Sequence, residues 1–230
     1  MTGCGLRAKD CGFISRSPQP AARSPQPAAR SVKVSAEFVT SAAGAEGLPR
    51  DGLPEIAMVG RSNVGKSSLI NALVRKKLAR TSAAPGKTRL ANFYRVEAAP
   101  RPPFFLVDLP GFGYARGGDK AREGFDALAA AYFRARVDDP RFRGALVLID
   151  SRHPGLDSDR LTWNWLEQVG VERYAVATKV DKLTRAERQR HFGELERIYS
   201  GPVLAVSAQT GEGLDELWKK IANQIRTARQ

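Results

Sequence analysis

Eight consecutive residues, Gly60-Arg61-Ser62-Asn63-Val64-Gly65-Lys66-Ser67, follow the pattern G-x-x-x-x-G-K-S, and Ser68 extends it. Glycines let backbone N–H groups close around phosphate oxygens, and a helix starting at Lys66 would add the favourable end of its dipole. Lys66 would neutralise phosphate charge, and the Ser67 hydroxyl suits Mg2+. That chemistry is the binding of a nucleoside triphosphate.

A phosphate loop does not choose its base. Thr178-Lys179-Val180-Asp181 resembles the [NT]-K-x-D element of GTPases. Asp181 would accept hydrogen bonds from the N1–H and 2-amine of guanine, donors that adenine lacks, while the Lys179 stem covers the ring. Discrimination comes from buried polar groups that the wrong base leaves unpaired. Thr178 replaces the commoner Asn, so a weaker bond to the base and to the phosphate loop is expected. Asp108-Leu109-Pro110-Gly111 supplies D-x-x-G, with Asp108 holding Mg2+ through a water and the Gly111 N–H sensing the γ-phosphate. Val206-Ser207-Ala208 would place backbone contacts from Ser207 and Ala208 near the guanine O6. Between these, Pro85-Gly86-Lys87-Thr88 offers Thr88 as a second Mg2+ ligand, with Gly86 and Lys87 beside the phosphates. Lys66, Thr88 and Gly111 are the catalytic candidates.

Such loops need a scaffold that brings them to one edge. From residue 31 onward, short apolar runs alternate with longer amphipathic stretches, the pattern of a mostly parallel α/β sheet with helices on both faces. Six strands are expected at Ile56 to Val59, Ala91 to Val96, Phe104 to Val107, Ala145 to Ile149, Tyr174 to Ala177 and Val203 to Val206. Helices are expected at Lys66 to Val74, Arg122 to Arg136, Ser158 to Val169, Arg185 to Tyr199 and Leu214 to Ile225. Thr184 with Glu187 reads as a capping box opening the fourth. Within the third, Leu161, Trp165 and Val169 form a candidate buried stripe, with Trp163 at its edge.

With these motifs in hand, the chain resembles the EngB-type GTPases of bacteria (also called YihA or YsxC), in the translation-factor-related class that includes Era and TrmE. The resemblance spans about residues 32 to 228. It is carried by Gly60-Arg-Ser-Asn-Val-Gly-Lys-Ser-Ser68, Pro85-Gly-Lys-Thr88, Asp108-Leu-Pro-Gly-Phe-Gly-Tyr114 and Asp150-Ser-Arg-His-Pro154. It implies a Ras-like P-loop GTPase domain whose sheet has one antiparallel strand, the second of the six. It also implies GTP hydrolysis, a role in assembling the large ribosomal subunit, and a link to cell division and septation.

Many GTPases orient the attacking water with a glutamine after the D-x-x-G glycine, where this chain has Phe112. A slow intrinsic rate is expected, with the missing charge supplied from elsewhere. In related GTPases an asparagine at the place of Asn63 helps hold K+, so K+ stimulation is one expectation; a partner such as the ribosome is the other source.

The chain carries 37 Lys+Arg against 24 Asp+Glu, a net charge of +13, which suits a polyanionic partner. Between Arg75 and Arg95 there are seven basic residues and no acidic one, and this stretch overlaps the segments that should respond to the γ-phosphate. Contacts to rRNA that depend on the bound nucleotide are therefore expected around residues 81–90 and 109–120. The basic residues of the last helix, Lys219, Lys220 and Arg226, and the lone loop histidine His153 are expected to be solvated and structural.

The 230 residues suit one sizeable domain, and 42% hydrophobic with 27% charged residues excludes disorder throughout. Residues 1–31 read as a disordered leader containing the tandem repeat Ser17 to Arg23 and Ser24 to Arg30, preceding a GTPase domain at 32–230. Two cysteines, Cys4 and Cys11, cannot build a disulfide framework, so a cytoplasmic protein is expected, and no apolar run spans a bilayer. A monomer is the expected state. Two other readings share these residues: an ATP-dependent phosphotransferase, if Thr178 to Asp181 is coincidental, and an RNA-binding scaffold stabilised by nucleotide.

Overall fold

The computed structural model describes Met1 and residues 34–79, 90–112 and 119–226, with side chains from 127 onward in the last segment. Contacts divide the chain between Ser31 and Val32. The leader with its repeat lies outside the described residues. The elements run β1 (Val34–Ala42), β2 (Glu55–Gly60), α1 (Lys66–Val74), β3 (Ala91–Ala98), β4 (Phe104–Asp108), α2 (Asp119–Arg136), β5 (Phe142–Asp150), α3 (Asp157–Gln168), β6 (Arg173–Thr178), α4 (Arg185–Ile198), β7 (Leu204–Ala205) and α5 (Leu214–Arg226). They form one sheet in the order β1-β3-β4-β2-β5-β6-β7, in which only β3 opposes its neighbours.

The sheet has seven strands, not six; the expected set lacks β1. That strand pairs with β3 along most of its length, with a shift between Phe38 and Thr40, yet it buries only Ala36 and Ala42. An edge strand with small inward residues and an exposed Phe38 leaves no apolar alternation to read. The antiparallel strand is β3, as expected. The central strands are covered on both faces, which is why they read as apolar runs: every residue of β2 and β4 is buried. One layer packs α1 and α5 residues such as Leu69, Leu73, Leu217 and Ile221 on Met58, Leu106 and Leu146. The opposite layer packs Tyr132, Phe133 and Leu166 on Val59, Phe105 and Val147.

The helix periodicities hold within a few residues. In α1 the buried positions Lys66, Leu69, Ile70, Leu73 and Val74 recur at 3.6-residue spacing. The capping box at Thr184 and Glu187 is formed in both directions. The α3 stripe differs: Leu161 is 57% exposed and Leu166 is the fully buried residue. Trp165 packs on Phe133, whereas Trp163 stacks edge-on with Tyr199 at 4.9 Å beneath the Arg173 guanidinium, so it belongs to the packing between α3 and α4.

One buried ion pair ties α2 to the base of the sheet. Arg136 reaches Glu55 at 2.9 Å and the carbonyl of Pro49, and Tyr132 donates its hydroxyl to Glu55. Burial raises the Glu55 pKa, against the pull of Arg136 and Tyr132. Removing one partner strands the other in the interior, so Arg136→Met should cost about 3–5 kcal/mol in urea unfolding. Adding Glu55→Leu should restore part of that loss. A cost below about 1 kcal/mol would mean the pair does not secure the end of α2.

Candidate nucleotide site

The sequence motifs converge on one edge because the strands that carry them are parallel neighbours. The register pairs Met58 with Asp108, Gly60 with Leu148, and Asp150 with Thr178. The turns following β2, β4, β5, β6 and β7 therefore open on the same side, outside the carboxyl ends of the strands, where the chain leaves β2 in both directions.

The phosphate loop is built from tight backbone. Gly65 caps α1 in the left-handed region at φ 110°, a conformation that favours glycine, and Asn63 is also left-handed at φ 62°. At Gly60 a Cβ would sit 2.8 Å from the Leu148 carbonyl oxygen. The loop is latched to the D-x-x-G turn: Ser62 N–H donates to the Phe112 carbonyl at 2.9 Å, and Arg61 bridges Phe112. Phe112 is itself buried with Leu109 in the α2 and α3 layer, so its position is occupied by a core ring. At Gly111 a Cβ would lie 2.8 Å from Ser62 backbone and 3.0 Å from the Lys66 ammonium, which explains the glycine by close approach.

Lys66 is buried and donates to the Gly60 carbonyl at 3.2 Å, folding across its own loop. Burial lowers its pKa, and Asp108 partly restores it. Asp108 is 2% exposed, and burial pushes its carboxyl up to about 6 while the Lys66 charge opposes the rise. Its Oδ1 has no hydrogen-bond partner among the described residues. A buried carboxylate oxygen without a hydrogen-bond donor, at the end of the strand beside the phosphate loop, suits a metal-bound water. Ser67, half-buried, and Ser68, exposed, open α1 beside it. Gly86, Lys87 and Thr88 lie outside the described residues, as do residues 113–118.

The base-reading segment leaves β6 directly. Thr178 is buried, and its hydroxyl lies 2.7 Å from the Val64 carbonyl and 3.1 Å from that of Ile149. The threonine hydroxyl thus reaches the phosphate loop, with one proton to share between two carbonyls. Asp181 is held by Ser207, whose hydroxyl donates to Oδ1 at 2.7 Å, with Lys182 3.3 Å from Oδ2. These bonds, Ser207 foremost, lower its pKa, which keeps the carboxylate ionised and able to accept hydrogen bonds. Ser207 works differently from expectation. Its N–H donates to the Glu212 carbonyl, and its hydroxyl both orients Asp181 and accepts from Gln209 and Thr210. Ala208 follows it, half-buried.

Two acidic residues to which the motifs attach no role border the site. Asp150 binds Lys179 and Arg152. Asp159, in the first turn of α3, is fully buried, and neither carboxyl oxygen has a donor among the described residues. Burial pushes it up to about 7, with Arg61 of the phosphate loop opposing and Asp150 adding to the rise. A pKa above the unfolded value favours the folded state when protonated, so this stability is complete below about pH 4 and lost as pH rises through about 7. Asp159→Asn should therefore match the parent near pH 4 and exceed it at pH 8, on the order of 3 kcal/mol in urea unfolding. Equal pH dependence of the two proteins would remove this assignment.

A mostly parallel sheet with a phosphate loop after its central strand, a D-x-x-G turn latched to that loop and a T-K-x-D segment hydrogen-bonded to it defines a Ras-like P-loop GTPase domain. Residues 55–179 match the family model described as 50S ribosome-binding GTPase. The "Probable GTP-binding protein EngB" of Pelotomaculum thermopropionicum is 40% identical over 196 residues, covering 83% of this chain and 96% of that protein. Its counterpart in Geobacillus kaustophilus is 41% identical over 188 residues, covering 80% and 93%. Among solved structures, a probable GTP-binding protein EngB superposes with a TM-score of 0.56 at 21% identity, covering 75% of this chain and 98% of that one. An Aquifex aeolicus Era variant bound to GDP and aluminium fluoride gives 0.63 at 22%, covering 77% and 58%. The chain belongs to the EngB family of GTP-binding proteins and is a GTP hydrolase.

Proposed function

We propose that this GTPase is a nucleotide-dependent switch in assembly of the large ribosomal subunit, acting in the cytoplasm as a monomer, with the family's link to cell division and septation following from that role. The observation that carries the reading is the match of residues 55–179 to a 50S ribosome-binding GTPase model. The +13 net charge supports a ribosomal RNA partner. Among the described residues, no helix is long and apolar enough to cross a membrane.

In this reading GTP lies with its phosphates against Gly60 to Ser68, its guanine against Thr178 to Asp181 and its O6 toward Ala208. Ser67 and Thr88 would hold Mg2+, and Asp108 would do so through a water, which suits an Oδ1 without a hydrogen-bond partner among the described residues. An ion held there would supply charge to offset that of the phosphates. Lys66 exchanges its bond to the Gly60 carbonyl for phosphate oxygens, and the Gly111 N–H faces the γ-phosphate. Phe112 supplies no polar group for the attacking water, so intrinsic hydrolysis is slow. Asn63 would help hold K+ at the same place.

Co-sedimentation with purified large subunits tests the role: retention with a non-hydrolysable GTP analogue, and release with GDP or without nucleotide, is the expected result. Equal retention in all three conditions would instead make nucleotide a structural element of an RNA-binding protein.

A further inference from the structure

Asp150 closes β5, and the register that sets it opposite Thr178 brings the next residue, Lys179, alongside it. Its carboxylate is buried and occupied on both oxygens. Oδ2 receives the Lys179 ammonium at 2.9 Å and Arg152 Nη2 at 2.7 Å, while Oδ1 receives Arg152 Nε at 2.9 Å and the Arg152 backbone N–H at 3.2 Å. The same ammonium also donates to the Asn63 carbonyl of the phosphate loop at 2.7 Å. Lys179 has φ 60°, a left-handed backbone that costs a non-glycine residue about 1 kcal/mol and persists where surrounding contacts hold it. Its stem runs past Gly65, where a Cβ would lie 3.8 Å from Lys179 Cε. Burial favours the neutral acid, yet the bonds from Arg152 and Lys179 hold the Asp150 pKa at about 2.

We propose that Asp150, clamped by Arg152, is a positioning residue for guanine-nucleotide binding: it holds the Lys179 stem extended between the phosphate loop and the base-reading segment, so that the stem is in place before the purine arrives. A lysine left free would lose rotamer freedom on binding, and a preset stem avoids that cost. The Asp181 charge also acts on Arg152, so the clamp and the carboxylate that reads the base share one electrostatic neighbourhood. The inference rests on reading Thr178 to Asp181 as the base-contacting segment.

Calorimetric titration of GDP and inosine diphosphate tests it. Asp150→Asn keeps the shape and removes the charge, and should raise both dissociation constants by roughly tenfold, the scale of one hydrogen bond to a charged group. The two should rise equally, because a covering stem touches the ring face and not the 2-amine. In a Lys179→Met background, Asp150→Asn should have no further effect. Arg152→Gln, at a part-exposed side chain, should weaken both nucleotides in the same direction by a smaller factor and also lose its effect in that background. It carries the test if Asp150→Asn fails to fold. Additive effects of Asp150→Asn or Arg152→Gln with Lys179→Met, or a loss confined to GDP, would overturn the positioning role. If Lys179→Met itself left GDP affinity unchanged, the base-contacting reading would fall first, and that outcome is distinct from additivity.

Discussion

Lys66→Ala should lower single-turnover GTP hydrolysis by at least about 100-fold and weaken GTP and GDP binding together, since removing one preorganised charge from a water-poor site commonly costs 10²–10³ in rate. The ammonium is buried and, among the described residues, is held by the Gly60 carbonyl and the nearby Asp108 charge, so its loss should remove little from the nucleotide-free protein. The contrast between states is the useful readout. Parent protein should gain about 2.7 kcal/mol of unfolding free energy from GDP at 100 times its dissociation constant, and the variant should gain almost none at the same concentration. Melting temperatures with and without nucleotide check this, and parental hydrolysis in the variant would show that Lys66 does not face the phosphates.

Asp181→Asn should reverse base preference, cutting GTP affinity by about 100-fold or more and creating affinity for xanthosine triphosphate. The geometry says why the reversal should be clean. Ser207 donates its hydroxyl proton to Oδ1, which only an oxygen can accept, so the asparagine amide is held with its carbonyl toward Ser207 and its NH2 toward the base. Guanine then meets a donor with its own N1–H and amine, whereas xanthine offers a carbonyl at that place. Lys182, 3.3 Å from Oδ2, is largely exposed and free to turn away from the new NH2. Competition binding with the two triphosphates decides it. Ser207→Ala should blunt the reversal, because the amide could then flip.

Local chemistry accounts for how much of this site was readable. The phosphate loop is contiguous, and its glycine and lysine requirements are those of backbone and charge within one turn, so the motif and the start of α1 at Lys66 agree with the structure. The doubly covered strands were visible as apolar runs for the same reason, whereas β1 was not, since an edge strand with small inward residues carries no period. Thr178 and Ser207 were visible as residue types, but not in their bonds. The reach of the Thr178 hydroxyl to Val64 and the turn of Ser207 toward Asp181 depend on loops 114 and 26 residues away in sequence. Asp150 stood in a family-marking segment with no role attached, because its partner Lys179 becomes a neighbour only through strand register.

What the amino-acid order determined alone was the class of ligand, the alternation of strands and helices, and the identity of the contacting types, all of which follow from chemistry within a few residues. Tertiary structure decided which buried charges have partners. It left Asp108 Oδ1 and the Asp159 carboxyl without hydrogen-bond donors among the described residues, paired Glu55 with Arg136 across 81 residues and Asp150 with Lys179 across 29, and made Ser207 an orienting side chain. The physical reason is that the cost of a buried charge depends on what surrounds it in space, and strand order brings those surroundings together from distant parts of the chain.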